Sequence, residues 1–333
     1  MVYLKKKTFV TIIIPTYNNA NYLDECLKRV IQQDYPNYEI LVIDDCSTDD
    51  TEKIVKKYPV RYIKNKENSG ASYTRNIGAT LSKGKILVYL DSDVNIPSHA
   101  VSSIVNNLIK KHDVLMVMGT YSENTKDLNF VSDYKNLDLG FRFLQLDYKI
   151  PYLSSFFFAI SKDVFKNTDG FSTSFKKSSV EDVEFGWKIC NGKKLTLQDR
   201  NVKIDHRKKY TIWNLLKSNY VRVINIYKIR INSGGKYKVG NDIPLAYKVN
   251  VFLAPSIFFS AFLSLVHQEF ALLTVLGLLL FSIINYKFLN YIFKKRGLVF
   301  ELKCVFLMIT EYIGVAVAIF SAMITTPFNK RYI

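Results

Sequence analysis

Two aspartates stand two positions apart, directly after an apolar run. Residues 86–90 read ILVYL, and Asp91-Ser92-Asp93 follows at once. Carboxylates this close repel each other unless a cation lies near them, and Mg²⁺ is commonly held by one or two carboxylates together with substrate phosphates. The pattern therefore indicates a site for a divalent metal and a diphosphate. The motif is short, and two acids that cap a turn give the same letters.

A second acidic pair, Glu181-Asp182, lies in the segment SSVEDVEFGWKICNGKKLTL of residues 178–197. Ser178 and Ser179 are candidate N-caps of a helix, and acids in the first helical turn are favoured by the helix dipole. Capping alone accounts for this pair, so its spacing does not by itself assign it any chemistry.

Strand-like and helix-like patterns alternate up to about residue 210 and position these motifs. Short apolar runs predict strands over residues 9–14, 39–43, 60–64 and 86–90. Helical spacing predicts helices over residues 22–33, 51–57 and 72–81. This alternation predicts an α/β fold with a mostly parallel sheet. Ligands of such sheets bind beyond the carboxyl ends of the strands, which is where the Asp91 turn falls.

Composition narrows the class of protein. The 333 residues are 48% hydrophobic and carry a formal charge of +17, which favours a membrane-associated chain with a basic inner face. Nucleic-acid binding also favours positive charge, but the chain has no zinc-finger spacing and no Gly-rich aromatic RNA motif, so we predict no nucleic-acid partner. Four widely spaced cysteines indicate a reduced, cytosol-facing chain. The basic and apolar start imitates a secretion signal, but its apolar run is short and predicts a strand instead.

Three apolar stretches follow residue 248. Residues 249–266 and 270–286 are uncharged, and residues 305–326 are interrupted only by Glu311. Each is about as long as a crossing of the hydrocarbon core, although a buried helical domain is also apolar. A basic segment lies between the second and third stretches and is expected on the cytoplasmic side. Two crossings would return the chain to that side, which makes the N-terminal domain cytoplasmic. A third would place the C-terminus outside, and Glu311 would then have to face protein, water or a ligand.

Residues 210–227 place Trp213, Tyr220 and Tyr227 among apolar and basic residues. This pattern fits a helix at the level of the lipid headgroups, and the alternative is an ordinary packed helix.

Four linked segments resemble the nucleotide-sugar-binding half of the inverting family 2 glycosyltransferases, which have the GT-A fold. They are VTIIIPTYNN at residues 10–19, ILVIDDCSTDDT at 40–51, NSGASYTRNIGA at 68–79 and the DSD turn. Their order and spacing match the family over residues 8–94. Four motifs in order are much more specific than one D-x-D alone.

The resemblance implies a nucleotide pocket. Pro15 and Tyr17 are similar to the pair that packs around the nucleobase, and Asp45 to the carboxylate that accepts a hydrogen bond from it. Arg75 resembles the basic residue that reaches toward the nucleotide, and Asp91 the residue that faces ribose or sugar. Without the resemblance, Tyr17 is a turn aromatic and Arg75 a solvated helix charge.

The resemblance also implies a metal and a base. Asp93, with Asp91 beside it, resembles the ligand of Mg²⁺ or Mn²⁺, and His206 a residue that completes the metal site or contacts the diphosphate. The Glu181-Asp182 pair resembles the acceptor-site motif, with Asp182 as general base and Glu181 as its neighbour or a sugar contact. An inverting transfer needs one base and a Lewis acid on the leaving diphosphate, and no covalent nucleophile. A lone histidine is more often an ordinary surface or core residue.

One departure bears on the product. Processive synthases of this family carry Gln-x-x-Arg-Trp, whereas here Arg222 is followed by Val-Ile-Asn. We therefore expect a GT-A catalytic domain over residues 1–225, a basic interfacial connector over 226–248 and a membrane region over 249–333. The expected enzyme lies in the cell (inner) membrane, facing the cytoplasm, and contacts membrane lipids. It transfers a sugar, with a UDP-sugar favoured as donor, to a hydroxyl or phosphate of a lipid-linked or glycan acceptor in cell-envelope glycan assembly. The alternatives are a processive polysaccharide synthase and a non-catalytic membrane scaffold that keeps a degenerate nucleotide site.

Overall fold

The computed structural model describes residues 7–125, 128–175, 179–234, 244–327 and 332. The chain divides into two compact units, and the division falls after Lys209. The domain end predicted near residue 225 falls inside a continuous helix, Ile212–Asn232, which packs within the second unit. Part of the predicted connector therefore belongs to this helix, and residues 235–243 of that connector lie outside the described residues.

The first unit alternates strands and helices. Its strands are β1 Val10–Thr16, β2 Tyr38–Asp44, β3 Arg61–Lys64, β4 Ile86–Leu90, β5 Val94–Asn95, β6 Met116–Tyr121, β7 Lys149–Ile150, β8 Phe157–Ser161 and β9 Thr196–His206. Its helices are α1 Ala20–Val30, α2 Thr51–Val55, α3 Ala71–Leu81, α4 Ala100–Lys110, α5 Phe130–Gln145, α6 Lys162–Lys166 and α7 Glu181–Cys190. The strands and helices predicted up to residue 90 are all present.

The strands form a mixed sheet. Strands β3, β2, β1 and β4 are parallel and adjacent in that order. Beyond β4 the sheet continues through β8 and β6, both in antiparallel pairs, to β9, which is parallel to β6. The predicted α/β class and GT-A architecture are confirmed. The sheet is less parallel than expected because β8 reverses direction beside β4.

The carboxyl ends of β1, β2 and β4 meet at one edge of the sheet. Every residue of β1 and of β4 is buried, which explains why their sequences are predominantly apolar. The residues change abruptly from mainly apolar to mainly polar where these strands end, at Tyr17, Asp45 and Asp91. The parallel arrangement therefore brings the three polar segments together at the same edge.

An aromatic cluster connects β4 to α7. Tyr89 of β4 stacks on Phe158 with ring centroids 4.8 Å apart, and its edge meets Phe171. Phe171 in turn stacks on Phe185 of α7 at 4.2 Å. Such pairs add about 0.5–1.5 kcal/mol beyond the burial of their area. The cluster fixes α7, and with it the Glu181-Asp182 pair, relative to the strand that carries the DSD turn.

The second unit is entirely helical over its described residues. It contains α8 Ile212–Asn232, α9 Leu245–Leu263, α10 Glu269–Ile284, α11 Tyr286–Arg296 and α12 Leu298–Thr325. Helices α9 and α12 are long and apolar enough to cross a membrane, whereas α10 passes that test only together with α11, from which it is bent by 79°. Glu311 of α12 is buried and accepts a 2.7 Å hydrogen bond from the Asn219 side chain of α8. The prediction that Glu311 faces protein, water or a ligand is confirmed.

Candidate active site

The DSD turn is held by the elements on both sides of it. The Asp91 N–H donates to the Phe156 carbonyl at 3.0 Å, and the Asp91 carbonyl accepts from Val94. The Ser92 hydroxyl accepts a 2.6 Å hydrogen bond from the side chain of Asn19, which lies beyond β1. The turn therefore presents Asp91 and Asp93 as a pair, with the serine used to tie the turn to the β1 loop.

Arg75 of α3 joins the two acidic motifs. Its side chain is buried, with a relative exposure of 4%, and its Nη2 donates to Asp91 Oδ1 at 2.9 Å. The other amino group, Nη1, donates to Glu181 Oε1 at 3.0 Å. A guanidinium suits this position because its planar fork offers donors in two directions at once. The DSD turn and the acidic pair, which lie 90 positions apart in the sequence, thus share one cation.

The electrostatics of this cluster follow from its burial. Burial raises the pKa of Asp91 and the nearby charge of Asp93 adds to that rise, while Arg75 opposes it. Burial would also raise the pKa of Glu181, but the Arg75 charge and the N–H of Ser179 outweigh burial and hold that pKa below its usual value. Burial alone would lower the pKa of Arg75, and the charges of Asp91 and Glu181 raise it instead. Glu181 and Arg75 are consequently ionised together at neutral pH.

Asp182 stands at the start of α7 and is oriented by backbone donors. Its Oδ2 accepts from the Ser155 N–H at 3.0 Å, and its Oδ1 accepts from the Val183 N–H at 2.8 Å. The predicted serine caps are not what begins this helix. The N-cap is Val180, which makes no side-chain cap, and Ser179 instead donates its N–H to Glu181. Ser178 lies outside the described residues.

Asp93 and His206 approach each other across a short strand pair. Strands β5 and β9 are antiparallel, with Val94 opposite His206, so the residue before β5 lies beside the end of β9. The His206 Nε2 is 3.7 Å from Asp93 Oδ1. Among the described residues there is no cluster of three or more acidic, histidine or cysteine ligands. One carboxylate and one imidazole fit a cation that takes its remaining ligands from phosphate and water, as Mg²⁺ commonly does.

Asp45 organises the loop before α3. Its Oδ1 accepts from Asn65 Nδ2 at 2.8 Å and from the Ser69 N–H at 3.0 Å, and its Oδ2 accepts from the Gly70 N–H at 2.7 Å. An ionised carboxylate has about four acceptor positions, so these three bonds leave one for a further donor. The hydrogen bond predicted between Asp45 and a nucleobase remains a prediction, now limited to a single N–H.

Tyr17 is exposed at the same edge of the sheet, with 48% of its surface accessible, while Pro15 is buried within β1. The loops that follow β1 and β2 are joined by Asn18, whose N–H donates to Ser47 and whose side chain accepts from Thr48. Asn18 and Cys46 both have positive φ, at 47° and 66°. Left-handed backbone at two non-glycine residues is uncommon and clusters at functional sites.

Asn76 and Ser155, which the sequence did not single out, support the site. Asn76, next to Arg75, exchanges two hydrogen bonds with the backbone of Phe171, at 2.8 and 2.9 Å. Phe171 places its ring 5.4 Å from the Arg75 guanidinium, and Ser155 supplies a donor to Asp182. A backbone donor such as that of Ser155 leaves no mark in a sequence. In the sequence, Asn76 cannot be distinguished from any other polar residue on a helix.

Comparisons with known proteins show which family the first unit resembles. Residues 11–168 match the family described as Glycosyl transferase family 2. Glycosyltransferase GlyG of Streptococcus pneumoniae is 27% identical over 126 residues, which are 36% of this chain and 42% of that protein. The poly(ribitol-phosphate) beta-N-acetylglucosaminyltransferase TarS of Staphylococcus aureus is 33% identical over 115 residues, 32% of this chain and 20% of that protein. The chain therefore spans less than half the length of these relatives.

A solved structure shows the same fold. The mannosyltransferase PcManGT of Pyrobaculum calidifontis, determined with GDP-Man and Mn²⁺, has a TM-score of 0.58 at 18% identity and covers 95% of this chain and 88% of its own. The family match ends before Glu181, so it covers the DSD turn and Arg75 but not the acidic pair. The match to the family 2 glycosyltransferases thus holds for residues 11–168 of the chain.

Proposed function

We propose that the chain is a membrane-anchored, inverting glycosyltransferase that moves a sugar from a nucleoside-diphosphate sugar to a hydroxyl or phosphate acceptor. The observation that supports it best is the Arg75 link, because one buried cation binds both the DSD turn and the acidic pair. A donor site and an acceptor base must lie in one cavity for a single displacement to occur.

In this proposal the donor lies over the carboxyl ends of β1, β2 and β4. Tyr17 offers a ring on which the base stacks, and Asp45 accepts the base N–H with its remaining position. A UDP-sugar is favoured as donor. Asp93 and His206 would hold a divalent cation, Mg²⁺ or Mn²⁺, with Asp91 beside them. Such an ion supplies a Lewis acid for the diphosphate oxygens.

Asp182 is the proposed general base. The acceptor oxygen forms its bond to the anomeric carbon as the bond from that carbon to the diphosphate breaks, and the acceptor proton passes to Asp182. The backbone N–H groups of Ser155 and Val183 each donate to one carboxylate oxygen and so fix the orientation of the Asp182 side chain. Positioned bases of this kind typically contribute about 10²–10⁴-fold in rate.

The acceptor is proposed to be lipid-linked, because apolar helices hold the catalytic unit at a bilayer. Helices α9 and α12 are long and apolar enough to cross, and the cations after α10 favour a cytoplasmic catalytic unit in the cell membrane. The relative TarS is named for the transfer of a sugar to poly(ribitol-phosphate), which fits a role in cell-envelope glycan assembly.

Membranes that contain the full chain, incubated with labelled nucleotide sugars with and without a divalent cation, test the proposal. We expect metal-dependent label in extracted lipid, lost in Asp93→Ala and in Asp182→Asn. Asp113→Asn, an exposed acid of the same unit, should retain activity. Label only in water-soluble product would exclude the lipid acceptor, a long polymer would indicate a processive synthase, and bound but untransferred donor would indicate a scaffold.

A further inference from the structure

Helix α11 turns sharply away from α10 at a bend that is held by side-chain hydrogen bonds. The two helices lie on either side of Asn285 and differ in direction by 79°. The side chain of Asn285 donates to the Phe281 carbonyl at 2.7 Å and accepts from Asn250 of α9 at 2.9 Å. The bend therefore has an identifiable cause, a polar residue that ends one helix and is held by a neighbouring one.

The direction of α10 sets the direction of α11. The surface of α10 is lined by exposed leucines and other aliphatic residues, so its favourable place is within the hydrocarbon core, where its 16 residues extend about 24 Å along the membrane normal. Membrane-spanning helices tilt on average about 20° from the normal. A helix at 79° to such a segment runs close to the membrane plane. Its 11 residues, about 16 Å in length, would lie along the surface rather than complete a crossing.

The two faces of α11 differ in a way that suits an interface. Phe288, Leu289 and Ile292 are buried on one face. The exposed face carries Tyr286 and Phe293, which are 65% and 49% accessible, and also the three lysines of the helix. The cations of the helix are Lys287, Lys294, Lys295 and Arg296. Residues 286–300 contain no acid.

This mixed face fits neither water alone nor hydrocarbon alone. Exposed aromatic rings are costly in water, and lysines are costly in the bilayer core. Aromatic and basic residues together are enriched at the headgroup level, where the ring is half inserted and the cation meets phosphate. We infer that α11 lies in the membrane plane and that its lysines bind the phosphates of anionic lipids.

The inference rests on the proposed membrane attachment and is tested with the full chain in bilayer discs. Cys46 is first replaced by serine, because the other three cysteines are buried. Single cysteines with spin labels then replace Tyr286, Asn290 and Phe293 along the exposed side, and Leu276 of α10 as a depth reference. Depth is measured from the accessibility of each label to oxygen and to a polar nickel chelate.

We expect the Leu276 label to lie deep and the three α11 labels to lie at one shallow depth. A continuing crossing would instead change the depth by about 10 Å from residue 286 to residue 293, at 1.5 Å per residue, and would overturn the inference. An aqueous Leu276 label would overturn membrane insertion itself, so the two failures are distinguishable.

A second measurement tests the lipid partner. A fluorophore at residue 293 is quenched by phosphatidylglycerol or phosphatidylcholine, each with a nitroxide near the headgroup end of the chain. We expect preferential quenching by phosphatidylglycerol, and the preference should fall about fivefold for each cation removed in Lys287→Gln and Lys294→Gln. The matched control variants Lys110→Gln and Lys111→Gln, which replace exposed cations of the first unit, should retain the preference for phosphatidylglycerol. Equal quenching by both lipids, or a preference that survives removal of both α11 lysines, would overturn the anionic-lipid part.

Discussion

Replacing Arg75 with lysine should separate its function as a bridge from a direct contact with the nucleotide. The guanidinium donates from two different nitrogens, to Asp91 at 2.9 Å and to Glu181 at 3.0 Å. A lysine ammonium is a single point charge and cannot reproduce that fork, so one of the two bonds is lost. A hydrogen bond to a charged group contributes about 1.5–3 kcal/mol.

Because about 1.36 kcal/mol corresponds to a tenfold change in rate, the loss predicts a decrease in kcat of about 10- to 150-fold. The donor KM should change by less than about threefold, since Arg75 in this structure contacts protein carboxylates and its loss acts through the position of Asp91 and Glu181. Steady-state kinetics with the labelled donor at saturating metal provide both constants. Arg61→Lys is the matched control, since Arg61 is exposed and donates to a backbone carbonyl.

Two outcomes would show that Arg75 does not act as a bridge. A rise in donor KM with kcat unchanged would mean that Arg75 acts on the nucleotide, as the family resemblance implies. Activity of Arg75→Lys within about twofold of the native protein would mean that the bridge does not position the reacting groups.

Three further predictions concern stability. An added Cβ at Gly186 of α7 would lie 2.2 Å from the Leu153 backbone nitrogen, so Gly186→Ala should lower the free energy of unfolding by about 1–3 kcal/mol. An added Cβ at Gly140 would lie 3.6 Å from its nearest neighbour, so Gly140→Ala should be neutral or stabilising by up to about 1 kcal/mol. Equal melting temperatures for the two variants would contradict that contrast. The pKa of Glu181 is lowered in the folded state, so its stabilisation is present above its ordinary value of 4.5 and is lost as the pH falls through the lowered value. Denaturation of Glu181→Gln should therefore show less stability than native at pH 7 and a flatter loss in acid, and parallel pH profiles would contradict the sign. A double-mutant cycle of Asn219→Ala and Glu311→Ala should give a coupling energy of about 1 kcal/mol in detergent unfolding, and a coupling near zero would show that their 2.7 Å hydrogen bond does not stabilise α8 against α12.

The N-terminal fold was predictable because its signals are local. Predominantly apolar runs at β1 and β4 predict buried strands, and helical spacing between them predicts the intervening helices. The reversal at β8 was not predictable, because an antiparallel neighbour and a parallel one bury the same kind of residue. The apolar stretches of the second unit were predictable from length and composition. The bend at Asn285 was not predictable, because it depends on a partner 35 positions away in α9.

The candidate site was predictable as a set of residues but not as a set of contacts. Asp91 and Asp93 follow from their position at a strand end, and the structure places Asp93 near His206 through the β5–β9 pair. The partners of Arg75 could not be read from the sequence, because Glu181 lies 106 positions away. Pattern alone favoured the serines as caps of α7, whereas the carboxylate of Glu181 in fact accepts from Ser179.

In the proposed mechanism, the DSD turn binds the donor with its metal, whereas Asp182 acts only in transfer. The most direct measurement is calorimetric binding of a UDP-sugar to the purified full chain, with and without Mn²⁺, alongside transfer by the same samples. We predict that Asp182→Asn binds donor as the native protein does, with the same metal dependence, and does not transfer sugar. Asp93→Ala should lose the metal dependence of binding. Metal-independent binding by the native protein, or full transfer by Asp182→Asn, would contradict the account.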